Sequence, residues 1–363
     1  MSAPLHIAVI MGRMDSGGVE AVVMNLCRRM DSEKIRFDFF LHADSYFPQR
    51  EELDARGISY TLIPPYSKPI TYLKTLTAAL REGKYRIVHS HISTMSFLPL
   101  FAAWLAGVPV RICHNHSTDH AGEGKKSLLK RFLRPFARGM ATDWFACGDT
   151  AARWMYGDAA VDAGRVKVLQ NAVERSRYAF DPAARSGVRN ELGLSEEIFV
   201  LGHIGRFTYA KNHEGLLEIF AALKQKRADA VLLLVGEGER EQEIREKVSA
   251  MGLTDSVRFL GVRRDADRLY SAFDAFCLPS YYEGLPVVGV ELQWNGLPAV
   301  FSDEVTREAL VNENVRALPL SAPAEEWADA LLTLEREEPA ADMEKFDIDR
   351  QAERLAAFYW SKV

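Results

Sequence analysis

Short runs of β-branched and aromatic residues alternate with longer, helically spaced segments along the whole chain, the pattern of βαβ units and parallel sheets. In the first half HIAVIM (6–11), FDFFLH (37–42), YTLIP (60–64), RIVHSH (86–91), VRICHNH (110–116), WFACGD (144–149) and VKVLQN (166–171) read as strands. Helices are expected between them, for instance over 18–30 and 94–106. The stretch 174–197 is polar and broken and fits a linker or an entry helix. The alternation then restarts with FVLGHIGRF (199–207), AVLLLVGEG (230–238), VRFLG (257–261), AFCLPS (275–280) and PAVFSD (298–303). The economical interpretation is an α/β protein of two Rossmann-like domains, spanning 1–173 and 174–345, whose parallel sheets face each other across a cleft. The tail FDIDRQAERLAAFYWSKV reads as an amphipathic helix with Leu355, Phe358, Tyr359 and Trp360 to bury. Residues from about 346 to 363 are expected to pack back on the first domain.

Composition narrows the class. A chain of 363 residues is long enough for two cores, and no apolar stretch reaches membrane-spanning length. A formal charge of −5 argues against a general nucleic-acid binder. The N-terminus lacks a basic leader and runs straight into the first strand, so no export signal is expected. Cys27, Cys113, Cys147 and Cys277 form no CxxC pair and read as small buried residues in a reducing cytoplasm.

Two loops suit anions. In MGRMDSGGVE (11–20), Gly17 and Gly18 stand between a strand and a helix, where backbone N–H groups approach a ligand closely. In GRFTYAKNH (205–213), Gly205 and Arg206 end a strand, Lys211 and Asn212 open the next helix, and Asn212 is a good N-cap. An Arg fork and a compact Lys charge at one strand-helix junction match the oxygens of a diphosphate. GEGER (236–240) is a third Gly-rich turn, without the Lys-Ser/Thr of a P-loop. In YYEGLPVVGVELQ, Glu283 precedes a Gly-x-Pro turn, Pro286 suits the first turn of a helix, and Glu291 falls on its second turn.

Taken in order, SGGVE, HNHS, VLQNAVE, GRFTYAKNH, GEGE, RFLG and YYEGLPVVGVELQ strongly resemble the retaining nucleotide-sugar glycosyltransferases of the family-4 group, of the polysaccharide and capsule biosynthesis type. The resemblance implies the GT-B fold, with an acceptor-binding first domain and a donor-binding second domain. It implies transfer of a hexose or related sugar from a nucleoside diphosphate sugar, UDP by default, to an acceptor hydroxyl in exopolysaccharide, capsule or glycolipid assembly. Glu291 would accept hydrogen bonds from the ribose diol, for which two acceptor oxygens are suited. Glu283 would lie near the transferred sugar, and Gly284, Leu285 and Pro286 near its hydroxyls and the phosphates. Arg206 and Lys211 would neutralise the leaving diphosphate, Gly17 and Gly18 would close over it, and Gly261, Val262 and Arg263 match where backbone meets the base. No protein nucleophile is required.

The resemblance also implies a histidine near the anomeric centre. Strand alternation points His114 and His116 the same way, and His116, nearer the carboxyl end, is preferred. His89 and His91 could line the acceptor side together with His114. These H-x-H pairs lack Cys or acidic ligands at close spacing, and Asp265-Ala266-Asp267 reads as a helix-capping acid, so neither a cofactor nor a metal is expected. Ala172 stands where the interdomain element usually has Gly, and Leu292 replaces a small residue after the second Glu; the first bears on hinge geometry, the second on packing.

The stretch 124–139 is basic and amphipathic, and residues 111–140 carry +5 in a chain of −5. It fits either an anionic membrane surface, with a lipid-linked acceptor at the inner face of the cytoplasmic membrane, or a helix packed on its own domain with its basic face in water. Alternatives are a GT-B-fold sugar-nucleotide epimerase, which needs extra acid/base carboxylates, a phosphorylase, which needs a pyridoxal-type Lys or another phosphate site, and an exported, non-catalytic sugar-binding protein. The absence of these features and the Arg206/Lys211/Glu291 set favour the transferase.

Overall fold

A computed structural model of the chain describes residues 4–15, 17–118 and 125–363. Ser16 of SGGVE, the acidic Asp119 and Glu123, and Gly124 lie outside the described residues, as do the side chains of Lys125 and Lys126. The chain divides into two compact units, Met1–Ala172 with Lys345–Val363, and Val173–Glu344.

The first unit holds β1 (Leu5–Ile10), β2 (Ile35–His42), β3 (Tyr60–Ile63), β4 (Ile87–Ser90), β5 (Val110–Asn115), β6 (Asp143–Ala146) and β7 (Val166–Val168), in the sheet order β3-β2-β1-β4-β5-β6-β7. The second holds β8 (Val200–Ile204), β9 (Val231–Val235), β10 (Val257–Phe259), β11 (Ala275–Leu278), β12 (Ala299–Ser302) and β13 (Val315–Leu318), in the order β10-β9-β8-β11-β12-β13. Each pairing is parallel, and Ile7–Ile10 and all of β9 are buried, as expected of sheets covered on both faces. Each sheet winds outward in both directions from a central strand. The winding reverses between β1 and β4 in one unit and between β8 and β11 in the other, and ligands of open α/β sheets sit at the carboxyl ends of such strands.

Several sequence expectations need correction. β13 went unread because VRAL is an edge strand with two exposed positions, which leaves no apolar run. The segment 174–197 is no linker: Arg175–Tyr178 and Pro182–Glu191 are helices, the latter capped by Asp181 Oδ1 accepting from the Ala183 N–H at 2.8 Å. Arg189, 1% exposed, donates to Asp274 Oδ2 at 2.6 Å and to the carbonyls of Ala272 and Ser195, so this segment belongs to the body of the second unit. The tail forms a helix, Ile348–Trp360, that packs on Gly18–Arg29 of the first unit. Its buried stripe runs through Ile348, Ala352, Leu355 and Tyr359 at helical spacing; Phe358 is half-buried, and Trp360, one step round the helix, is 44% exposed.

Candidate active site

In the second unit β8 leads into Gly205, whose N–H donates to Val235 O at 2.9 Å, and the Phe207 N–H donates to Glu237 O at 3.0 Å. Gly236 has φ +136°, and a Cβ there would lie 2.1 Å from Gly205 O; one on Gly238 would lie 2.5 Å from Phe207 O. Two strand-to-helix turns therefore pack backbone against backbone, a fit that needs glycine. Lys211 ends a 3₁₀ turn, Tyr209–Lys211, rather than opening the helix. Asn212, left-handed at φ 49°, caps His213–Lys226 by accepting from the Gly215 N–H at 3.1 Å, and its Nδ2 donates to Pro279 O at 3.0 Å. The Tyr281 N–H donates to Ala210 O at 2.8 Å, and the Tyr209 and Tyr281 rings stack with centroids 4.7 Å apart. The loop after β8 is thereby tied to the loop after β11.

That tie brings Lys211 Nζ onto the carboxylate of Glu283, and Ser280 Oγ donates to the same carboxylate oxygen at 3.2 Å. The two charged side chains are only 18% and 16% exposed. Arg206 is exposed and makes no ion pair among the described residues. Of the two expected cations, only Lys211 is turned inward. Beneath it lie His203 and His213, buried, each with Nε2 unpartnered among the described residues. Burial, with the Lys211 charge adding to it, holds the His203 imidazole neutral, its pKa pushed down to about 4.

Pro286 is the N-cap residue of Val287–Trp294 and not its first turn; Glu291 does lie on the second turn. Glu291 is half-buried, and Tyr270 Oη donates to its Oε2 at 2.6 Å, with the Tyr178 hydroxyl as a second donor. Burial raises the Glu291 pKa, against the opposing pull of Tyr270, Tyr178 and Arg177. Gly284 is half-buried, Leu285 and Pro286 are buried, and Val262 is 53% exposed just past Gly261. Asp265 stands at the N-cap of Ala266–Ala272 without capping it, because Arg263 takes both carboxylate oxygens at 2.8 Å. A bidentate guanidinium outcompetes a single backbone N–H.

In the first unit Gly17 is the N-cap of Gly18–Arg29, making no side-chain bond to it. His89 lies on β4 with His91 just beyond its end, and His114 lies on β5 with His116 just beyond its end. His89 Nε2 is 3.1 Å from His114 Nδ1, His91 Nδ1 is 3.0 Å from His116 Nε2, and Tyr359 Oη is 2.6 Å from His89 Nδ1. Burial lowers all four pKa values, those of His89 and His116 to about 3, so the group is neutral at pH 7. The structure thus gathers the four expected histidines into one cluster and leaves His114 and His116 equally within it.

The basic stretch forms the helix Lys125–Met140, turned opposite to the self-packed expectation. Lys130 Nζ donates to Thr118 O at 3.1 Å, Arg134 donates to Trp154 O at 2.7 Å, and the Arg138 guanidinium lies 5.7 Å from the Trp144 ring centre. These cations, one turn apart, face their own unit. Leu128, Leu129, Phe132 and Phe136 face outward, Leu128 at 69% and Phe132 at 65% exposure. Phe132, Phe136, Phe97, Phe101 and Trp104 form a continuous ring ladder with centroids 5.4 to 6.1 Å apart.

The family described as "Glycosyltransferase Family 4" matches residues 16–177, and "Glycosyl transferases group 1" matches residues 185–348. The chain is 34% identical over 336 residues, 91% of this chain and 88% of the relative, to the "Putative glycosyltransferase EpsF" of Bacillus subtilis (strain 168). The chain belongs to the group 1 glycosyltransferases. A second relative of this glycosyltransferase, 28% identical and covering 79% of this chain and 76% of its own, is the Escherichia coli "UDP-Gal:alpha-D-GlcNAc-diphosphoundecaprenol alpha-1,3-galactosyltransferase". Among solved structures, Anabaena Alr3699/HepE in complex with UDP-glucose superposes with a TM-score of 0.83 at 21% identity, over 98% of this chain and 100% of that one. The two Rossmann-like sheets are those of the GT-B fold.

Sequence reasoning missed the hydroxyls of Tyr178 and Tyr270 on Glu291, which reach it from 113 and 21 residues upstream. It also missed His203 and His213 under Lys211, where only a lone His inside an apolar strand run gave a signal.

Proposed function

We propose that this glycosyltransferase moves a hexose or related sugar, with retention, from a nucleoside diphosphate sugar to an acceptor hydroxyl in exopolysaccharide, capsule or glycolipid assembly. The second unit would bind the donor and the first the acceptor. The observation that carries this reading is the Lys211–Glu283 pair at the carboxyl end of β8 and β11, with Glu291 on the second turn of the helix that follows. A departing diphosphate develops negative charge, and a preorganised ammonium stabilises it where it forms. In this reading Lys211 leaves Glu283 for the phosphates when donor binds, with Arg206 swinging in from solvent, and Glu283 turns to the sugar. Gly205, Gly284, Leu285 and Pro286 would line the phosphates and sugar, Val262 the base, Glu291 the ribose diol, and Gly17 and Gly18 the diphosphate from the first unit. His116 would face the anomeric centre, with His89, His91 and His114 toward the acceptor. A leaving-group oxygen takes the acceptor proton, so neither metal nor protein nucleophile enters the reaction.

UDP is the donor nucleotide supported by the E. coli relative's name and by the UDP-glucose complex of the Anabaena protein. The diphosphoundecaprenol named for that relative supports a lipid-linked acceptor. The outward apolar face of Lys125–Met140 supports peripheral docking on the inner face of the cytoplasmic membrane. Nucleotide release decides between catalyst and binder. Incubated with UDP-glucose, UDP-galactose and their GDP and ADP counterparts in EDTA, the protein should free nucleoside diphosphate from a UDP-sugar. Binding without release would favour the non-catalytic alternative; interconversion of the sugars would favour the epimerase.

A further inference from the structure

Beyond transfer, the ends of β4 and β5 carry a second chemistry. The alternation of the strands puts His89, His91, His114 and His116 on one face of the sheet. Their rings form two in-plane hydrogen-bonded pairs, His89 with His114 and His91 with His116. The pairs lie one over the other, with centroids 4.1 Å apart for His89 and His91 and 4.2 Å for His114 and His116. In each pair a proton occupies the space between two imidazole nitrogens. A cation can take that place if enough nitrogens reach it, and one nitrogen each from His89, His91 and His114 lies within 4.8 Å of the others. All three of these histidines are buried, where a nitrogen lone pair needs a partner. The Tyr359 hydroxyl on His89 Nδ1 fixes that ring from outside, as carboxylates and hydroxyls do for metal-bound histidines, and leaves Nε2 turned into the cluster.

We propose that His89, His91 and His114 bind one first-row transition cation of the zinc, cobalt(II) or nickel class, with His116 beside them as a fourth imidazole. A tetrahedral ion with metal–nitrogen bonds of about 2.0–2.1 Å needs ligand nitrogens roughly 3.4 Å apart. The 3.1 Å between His89 Nε2 and His114 Nδ1 is already near that value, and ring rotation about χ2 closes the remainder. The donor set sets the selectivity. Imidazole suits zinc, cobalt and nickel, whereas magnesium, calcium and manganese favour oxygen, and the group contains no carboxylate. Spacing along the chain argued against a metal because each H-x-H pair alone is too small a ligand set. The parallel β4–β5 register, with Ser90 opposite Cys113, sums the two pairs. The ion has no part in the leaving-group chemistry proposed for the second unit.

Cobalt(II) titration of the untagged, EDTA-treated full chain tests this by visible absorption. Ligand-field bands should saturate at one cobalt per chain, be displaced by zinc, and persist in excess magnesium. His91→Gln and His114→Gln should each lose saturable binding, while His213→Gln in the second unit keeps it, with circular dichroism confirming folded variants. Absence of bands in the wild-type chain overturns the proposal whatever the variants do, as does their survival in both cluster variants or displacement by magnesium. Because nucleotide release is measured in EDTA, its failure bears on the transferase reading and not on this one.

Discussion

The two sheets end in opposite electrostatics. Past β8 and β11 the second unit presents an ammonium, a guanidinium and two carboxylates, with Lys211 and Glu283 neutralising each other. Past β4 and β5 the first unit presents four neutral imidazoles whose protons are shared in pairs. In the proposed reading the charged end takes the anionic nucleoside diphosphate, and the neutral end takes the acceptor hydroxyl and, through imidazole lone pairs, the cation proposed above. The ion pair also shows how a part-buried cation is accommodated: an unpaired ammonium there would be costly, and the Glu283 carboxylate offsets the cost.

The largest break in that comparison comes from Lys211→Ala. It removes the inward cation and strands Glu283, so turnover should fall by about 10²–10³-fold, the scale seen when one preorganised transition-state group is lost. Arg206→Ala, at an exposed side chain, should cost less and chiefly raise KM for the donor. Steady-state nucleotide release measures both. Equal turnover in wild type and Lys211→Ala would move the leaving-group site elsewhere.

Glu291→Ala comes next. A hydrogen bond to a charged group is worth about 1.5–3 kcal/mol, so nucleotide affinity should drop by roughly 10- to 100-fold in calorimetry. Acid sharpens the test. Burial raises the Glu291 pKa while Tyr270, Tyr178 and Arg177 restrain it and Asp267 adds to the rise. On acidification the carboxylate is therefore lost at a higher pH than for an ordinary Glu, and nucleotide affinity should weaken from there downward. Stability of the free protein runs the other way. The fold favours the neutral acid, so what Glu291 contributes is present at low pH and fades as pH rises through its raised pKa. Tyr270→Phe, which removes a restraining donor, should move the binding profile to still higher pH; an unmoved profile would mean that Glu291 does not read the ligand.

How much of this was legible depended on whether the signal was local. Strand-helix alternation gave the two sheets, and Asn212 gave its own cap, because both are written in consecutive residues. Glu283, Lys211 and Glu291 were singled out through motif order. That Lys211 pairs with Glu283 was not, since it depends on Asn212 and Tyr281 stitching together loops some 70 residues apart. The clasp of Tyr178 and Tyr270 on Glu291 and the buried Arg189 under Asp274 are non-local in the same way. The helix Lys125–Met140 showed its two faces in sequence but not their direction. Lys130, Arg134 and Arg138 reach inward to Thr118 O, Trp154 O and the Trp144 ring, partners that no periodicity reveals.

That reversal gives a third, smaller effect. With Phe132 and Phe136 facing out beside the exposed Arg131, the protein should float with vesicles containing anionic lipid at low salt and less at high salt. Burying a Phe side chain is worth about 1.5–3 kcal/mol, and partial insertion less, so Phe132→Asp should weaken vesicle binding by about tenfold while leaving nucleotide affinity unchanged. Flotation of wild type and variant alike, or of neither, would separate this face from any membrane role.

The smallest effect concerns the tail. Tyr359 and Trp360 are neighbours on one helix; Tyr359 is fully buried with its hydroxyl on His89, and Trp360 is 44% exposed. Tyr359→Phe keeps the ring packing against Phe37 but leaves His89 Nδ1 buried without a partner. The expected cost is about 1–3 kcal/mol. Trp360→Ala, away from any buried polar group, should stay within about 0.5 kcal/mol. Chemical denaturation, fitted to the transition of the first unit, resolves that difference. If the larger loss fell on Trp360, the tail would be held by surface packing alone, and the histidine cluster would not depend on the C-terminal helix for its orientation.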